Sequence, residues 1–541
     1  MQSNIFGDNC CYGDEFVDCY ECEGGDFFTS KSYMMTRPVT HNVIADQSLW
    51  HDFVLSKKGC HGGAFQIITY YQKSICSEKT TKYFFPQFKC SLKVLGDDQA
   101  LDANGFCKEG RDIRAEWLGL PSDFRGRFTI NPEQRQAGVV FEYNQDLKRF
   151  SDSDLFKRFW VSIAVPLVVV ENSLNVCQYD IANPYQGNDG PSDIVQALCQ
   201  PCWEYSKIGG KFSRFNAAPI RIKFGSAFLD NGNDQLVYYS TLFIPAGQQD
   251  ENRYLFEPVV GYNGHFGFGT GVNFQFVLNR KSEFIDVCFF LNLEGVFLTR
   301  NWHRRTFDLK GRCCNYFNRC CYTDPEVPCA EDDTVRSCFL DGCGCCCYSK
   351  GTCCENRRRN WSRYLLFTQK GAIPGMTVPG VNILTKRVKV RPYNMVDFSM
   401  GWRVKSERYE FELGYNIWGH GEERIECIKR FDREWGIAGK VQDGDLMARS
   451  ASLSTISECR ALEKEKCPDD FVFITIRESD LDLNSAASQG ALNHTIHAAG
   501  GFEYIGCKLA VFFGAGAYYE FPQKNSALKT WGMWFKLGGS F

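Results

Sequence analysis

Leu528-Lys-Thr-Trp-Gly-Met-Trp-Phe-Lys-Leu-Gly-Gly-Ser-Phe541 alternates apolar and polar side chains to its last residue. Trp531, Met533, Phe535, Leu537 and Phe541 share one side of an extended strand, with Gly539 as the gap. Thr530, Trp534, Lys536 and Ser540 share the other. A strand with an apolar face and a charged face needs two solvents. Charge is costly in a sandwich core, and a row of aromatic side chains is costly in water. Lipid on one side and a water-filled lumen on the other satisfy both faces.

The pattern repeats upstream. Leu509, Val511, Phe513, Ala515, Ala517, Tyr519 and Phe521 alternate with Lys508, Gly514, Gly516 and Glu520. Val396, Phe398, Met400, Trp402 and Val404 oppose Asp397, Ser399, Gly401, Arg403 and Lys405. Past the polar turn Lys405-Ser406-Glu407-Arg408, Tyr409, Phe411, Leu413, Tyr415 and Ile417 oppose Glu410, Glu412 and Asn416. These two strands read as a hairpin. A second hairpin sets Phe268, Val272, Phe274, Phe276 and Leu278 before Asn279-Arg280-Lys281-Ser282, and Ile285, Val287, Phe289, Leu291, Leu293 and Phe297 after it. Runs of this length cross a bilayer at a tilt.

Such a terminal strand resembles the closing strand of Gram-negative outer-membrane β-barrel proteins, which commonly end in Phe. The resemblance implies a location in the bacterial outer membrane with surface-exposed loops. It also implies Phe541 near the periplasmic rim, 522–527 as an outer loop and 506–507 as an inner turn. The fold class is therefore all-β, a transmembrane antiparallel barrel. Strand candidates fall at 63–72, 83–95, 125–131, 137–146, 159–171, 218–229, 235–244, 253–262, 266–278, 283–298, 381–391, 395–405, 408–418, 470–478, 493–505, 508–521 and 528–541. They predict about 16 to 18 strands, an even number being usual.

Composition agrees. Among 541 residues, 45 are Phe and 15% are aromatic, as lipid-facing rings and interfacial belts require. Mean hydropathy is −0.31 because half of each strand is polar. The longest apolar stretch, 161–170, is too short for a membrane helix. A net charge of −3 gives no support to nucleic-acid binding. No charged segment followed by an apolar one opens the sequence. If the chain is exported, its numbering is expected to be that of a processed or expression form.

Cysteine is the second signal, with 28 residues unevenly spread. Cys10, Cys11, Cys19 and Cys22 cluster near the N-terminus. Cys313, Cys314, Cys320, Cys321, Cys329, Cys338, Cys343, Cys345, Cys346, Cys347, Cys353 and Cys354 crowd one long loop. All sixteen are disulfide candidates, because this density belongs to an oxidising compartment. Pairs such as Cys19/Cys22 and Cys199/Cys202 have a zinc-knuckle gap but no matching second pair, so no metal and no cofactor are expected. The stretch 299–360 is rich in Arg, Gly and Cys and is expected to bury no core of its own. A cysteine-rich barrel is similar to the major outer membrane proteins of chlamydiae, porins whose disulfides stiffen an envelope with little peptidoglycan. That likeness is one of architecture and cysteine richness, not of motif.

The organisation expected is an N-terminal cysteine-rich plug, cap or arm over 1–60, a barrel over 61–541, and a cysteine-rich insertion at 299–380. A short amphipathic helix is expected over 446–466. No Gly-x-Ser-x-Gly, His-Glu-x-x-His or phosphate-cradling loop occurs, and His494 and His497 fall on opposite faces of one strand, so no catalysis is expected. The lumen candidates are Arg221, Lys223, Asp286, Glu294, Asp397, Arg403, Lys405, Glu410, Glu412 and Lys536. Mixed charge of this kind across a water-filled pore orients polar solutes. The expected function is passive diffusion of small polar solutes and ions, with disulfide-rich loops hardening the envelope. The rivals are a structural or adhesion protein with a plugged barrel, and a secreted cysteine-rich β-protein. Expected partners are outer-membrane lipid and either further copies or disulfide-linked envelope neighbours.

Overall fold

The computed structural model describes residues 30–41, 43–47, 62–75, 78–100, 111–147, 159–184, 190–230, 234–279, 285–310, 361–372, 376–392, 394–406, 408–438, 440–442, 445–447, 475–506 and 509–541. Twelve antiparallel strands close into a barrel. In chain order they are β1 (Gly63–Ser74), β2 (Arg125–Asp146), β3 (Phe159–Ala182), β4 (Ile220–Asp230), β5 (Gln235–Ile244) and β6 (Gly267–Asn279). Then follow β7 (Ile285–Leu298), β8 (Met395–Ser406), β9 (Tyr409–His420), β10 (Ala491–Ile505), β11 (Ala510–Pro522) and β12 (Thr530–Ser540). Each pairs with its chain neighbours, and β12 pairs with β1 from Ala64↔Ser540 to Ser74↔Thr530. Closure leaves no edge in the wall, the condition for a sheet to span lipid.

The count is 12 rather than 16 to 18, and the reasons are local. The candidates 125–131 and 137–146 are one strand of 22 residues that runs through Pro132. The candidates 253–262, 381–391 and 470–478 add no strand to the closed wall, and of 83–95 only Leu92–Leu95 is extended, pairing with the Arg125–Phe128 end of β2. Their described parts are short helix, turn or small-sheet structure at one end of the barrel. The apolar residues there satisfy a soluble core instead of lipid.

Period-2 patterning sets the two faces. Phe141, Ile163, Phe224, Phe268, Leu293, Val396, Leu413, Ile496, Phe513 and Phe535 all point outward and are exposed. Between them lie Glu142, Ser162, Asn292, Asp397, Glu412, Thr495 and Lys536, buried inside. Inward glycines make room for large rings. A Cβ on Gly271 would stand 2.3 Å from the Tyr239 ring, and one on Gly516 2.4 Å from Trp534.

The strand ends Asp230, Gln235, Asn279, Ile285, Ser406, Tyr409, Ile505 and Ala510 lie at one end, together with Gly63 and Phe541, which exchange backbone hydrogen bonds. The described parts of the long connections gather at the other end into a cap. Its core includes Phe84, Phe85, Phe128, Trp203 and Trp361 in one cluster and Phe307, Leu309, Phe367, Val388 and Leu481 in another. Phe307 and Leu309, from the stretch expected to bury no core, are 0% and 2% exposed. Beyond Met447 the helix expected over 446–466 lies outside the described residues, as do the sixteen cysteines singled out as disulfide candidates.

Leu413 lies near the middle of β9 and is 60% exposed. Leu413→Arg is expected to destabilise insertion by about 2–4 kcal/mol, measured by folding into phospholipid vesicles across a urea series.

Candidate functional site

The lumen is where chemistry gathers. Residues 30–41 descend from the cap into the barrel, and the short helix α1 (Val43–Gln47) follows. At the cap, the Ser30 hydroxyl donates to Asp308 at 2.9 Å and Ser32 donates to the Thr306 carbonyl at 2.6 Å. Deeper, the Val39 amide donates to Gln136 at 3.0 Å, and Gln136 donates back to the Arg37 carbonyl at 3.2 Å.

Three ionisable side chains of this segment meet the wall. Arg37 reaches Asp397 at 2.6 Å and Glu520 at 2.9 Å, donates to Asn416 at 3.2 Å and lies 5.6 Å from the Trp418 ring. Its side chain is 6% exposed. Asp46, on α1, takes Arg221 as ion-pair partner, with Lys223 at 3.6 Å, and Tyr70 donates to it at 3.4 Å. Lys536 donates to the Asp46 carbonyl at 3.1 Å. His41 packs edge-on against Phe243 and Tyr262, with Nε2 3.8 Å from Glu294.

The lumen candidates from sequence thus fall into distinct groups. Arg221, Lys223 and Lys536 surround Asp46, Asp397 holds Arg37, and Glu294 faces His41 while accepting from Tyr239 at 3.2 Å. Arg403 pairs with Glu412 and Glu410, each at 2.8 Å, and Glu412 holds His497 at 3.0 Å. Lys405 lies 3.7 Å from Glu410, and Asp286 is opposite Lys405 in the ladder. A cavity of about 20 Å³ between α1 and the wall, lined in part by Ile44, Gln275, Phe290, Arg403 and His497, has room for about one water.

Arg37, His41 and Asp46 escape the sequence reading because 30–47 carries no alternation. Their partners come from strands far apart in the chain. Glu520 also lies among the alternating residues but was not singled out.

A second polar cluster ties the cap to the rim. His265 Nδ1 lies 2.6 Å from the Thr299 carbonyl, which only accepts, so Nδ1 carries the proton. His265 Nε2 then accepts from His303 Nε2 at 2.9 Å. Asp250 and Glu423 hold Arg305 at 3.5 and 3.6 Å, and Arg305 lies 3.4 Å over the Tyr33 ring. Burial, then the neighbouring His303, pushes His265 down from 6.5 to about 3. Burial works to raise Asp250, but Arg305 and His303 outweigh it and hold the carboxyl low.

Cys199 and Cys202 are exposed thiols beside a short cap helix, and Cys288 is buried on β7. Among the described residues no group of three or more His, Cys, Asp or Glu is arranged to hold a metal ion.

A closed antiparallel wall, apolar outside and charged inside, settles the architecture. The fold is a closed antiparallel β-barrel of the kind that spans lipid. No protein-family model and no curated protein matches the chain. Solved structures with some likeness include an outer membrane channel from Pseudomonas putida F1, at 9% identity over 88% of this chain and 94% of that one, TM-score 0.33. Another is the transport unit of the autotransporter AIDA-I from Escherichia coli, at 8% identity over 88% and 90%, TM-score 0.29. A FadL homologue from Pseudomonas aeruginosa has 7% identity over 88% and 89%, TM-score 0.25. Likeness this remote says nothing of what passes through this barrel, and the fold rests on its own strand register.

Arg37→Ala leaves Asp397 and Glu520 buried with their cation removed, a loss of about 3–5 kcal/mol. Faster hydrogen exchange across 33–46 is the expected readout, with Arg37→Lys recovering part of the protection. The His265–His303 pair sets a second expectation. Unfolded cap takes up protons near pH 6.5, whereas folded cap resists until about pH 3. Cap stability is therefore undiminished above pH 7 and falls from pH 6.5 downward, by up to about 1.4 kcal/mol per unit for such a group. Limited proteolysis of the cap as a function of pH checks it.

Proposed function

We propose that this chain is an outer-membrane channel closed at rest by its own segment 30–47, opening to small polar solutes and ions when that segment withdraws. The observation that carries the reading is Arg37 buried between Asp397 and Glu520. A wall carboxylate pair of this kind needs a cation, and water-filled space supplies one as readily as a side chain. The second ion-pair site, Asp46 among Arg221, Lys223 and Lys536, has the opposite sign. The segment is thus held by complementary charges at two depths, strongly enough to close the lumen and with polar groups that water can replace.

Passive diffusion through a permanently open pore is the simpler alternative, and it sits poorly with Arg37, His41 and Asp46 packed against the inner wall. A structural role, with the barrel as an anchor, is favoured by the same ion pairs if they never release. Envelope stiffening through disulfides to neighbouring copies or proteins rests on cysteines outside the described residues and belongs with that second reading. Neither reading assigns the protein a reaction.

Planar-bilayer recording separates them. Wild-type protein is expected to be nearly silent at neutral pH and low voltage. A variant lacking residues 1–47 is expected to conduct steadily, and Arg37→Ala to flicker open. Both variants should keep a heat-modifiable mobility shift, which reports a folded barrel. A folded deletion variant that stays silent overturns the channel reading in favour of the anchor, and a steadily open wild type overturns the gate.

A further inference from the structure

Beyond the rim, three strands of the wall continue as a separate small sheet. Asn301–Thr306 follows β7, Thr385–Arg391 precedes β8 and Arg424–Ile428 follows β9, and they pair in that same order. The sheet therefore stands directly above the lipid-facing residues Phe297 and Val396, which are 47% and 50% exposed. At about 3.3 Å per residue, Arg300 lies on the order of 10 Å past Phe297. This is headgroup height, not hydrocarbon.

The two faces of this sheet differ sharply. Val388, Val390, His303 and Arg305 are buried against the cap. The outward face carries Arg304, Arg387, Lys389, Arg391 and Arg424, with Trp302 among them, in a protein whose overall charge is −3. Arg304 lies opposite Arg387 in the ladder, and Arg391 opposite Arg424. Like charges directly opposed on neighbouring strands are destabilising. Glu426 offsets part of this, reaching Arg300 at 3.1 Å and Arg391 at 3.8 Å. Arg304 and Arg387 instead lie over aromatic rings, 4.9 Å from Tyr205 and 5.9 Å from Trp302. Rings hold a guanidinium plane in place while leaving its N–H groups to a further partner.

We propose that this basic sheet face binds the phosphate groups of outer-leaflet lipid, seating the barrel against a phosphorylated glycolipid. The proposal rests on the membrane placement argued above, and continuity of the face with the apolar belt is what selects lipid over a soluble polyanion. Guanidinium pairs spaced on adjacent strands suit phosphate, whose oxygens accept two parallel hydrogen bonds from one Arg. Trp302, amphipathic and beside Lys389 in the ladder, is a residue type favoured at such an interface.

The test is native mass spectrometry of detergent-solubilised full-length protein, titrated with diphosphorylated lipid A or with its dephosphorylated form. Wild type is expected to bind lipid A on the order of 100-fold more tightly than the triple variant Arg304→Ser, Arg387→Ser, Lys389→Ser, at roughly fivefold for each charge removed. Dephosphorylated lipid A should not distinguish the two proteins. Each protein is first checked for the heat-modifiable shift. If the triple variant lacks it, Arg387→Ser alone is used, with about fivefold weakening expected. Equal binding of lipid A by wild type and a folded variant overturns the proposal, as does equal binding of both lipids by wild type. Tighter capture of heparin than of lipid A overturns it too, in favour of a soluble polyanion. Protein that stays soluble and monodisperse without detergent instead defeats the membrane placement itself.

Discussion

Residue pairs from Ala64↔Ser540 to Ser74↔Thr530 join the first strand of the barrel to the last, and every other feature follows from that seam. An open sheet of twelve strands would expose two rows of backbone groups that lipid cannot satisfy. Closure removes them and creates an inside. Once an inside exists, alternation has a meaning it lacks in a lone hairpin: odd and even residues belong to different solvents. Gly539, the gap in the apolar side of β12, pairs with Phe65 across this seam, and on the β11 side a Cβ there would stand 3.1 Å from the Ala510 carbonyl oxygen.

The inside then imposes its own condition. Charges gathered from many strands into a narrow space must be hydrated or paired, because buried charge without a partner is costly. Here the partners are supplied by the chain itself. Arg37 answers a carboxylate pair drawn from β8 and β11, and Asp46 answers cations from β4 and β12. The same segment is tied above to the cap through Ser30 and Ser32. One stretch of about eighteen residues thus touches barrel and cap alike. The basic sheet beyond β7, β8 and β9 likewise gathers its charges through register and not through neighbours in sequence.

Much of the wall was legible in the sequence because a barrel strand obeys a local rule. The segments 266–278, 283–298, 395–405, 408–418, 493–505, 508–521 and 528–541 lie within a residue or two of strands in the structure, since period 2 and length are properties of consecutive residues. The count was less legible. A strand of 22 residues with a proline inside reads as two, and apolar runs such as 381–391 follow the composition of strands while packing into a cap. Buried charges such as Asp397, Glu412 and Lys536 occupy the polar phase of that alternation.

The sequence by itself determined that this chain makes a two-faced antiparallel wall, and which side chains of each strand share a face. Only the tertiary structure decided what fills the lumen. Arg37 carries no signal in its own neighbourhood, since Asp397 and Glu520 lie 360 and 483 residues away in the chain. Like-charge pairs such as Arg304 and Arg387 are equally invisible until register sets them side by side. Local periodicity fixes faces; closure and register fix neighbours, and electrostatics acts between neighbours.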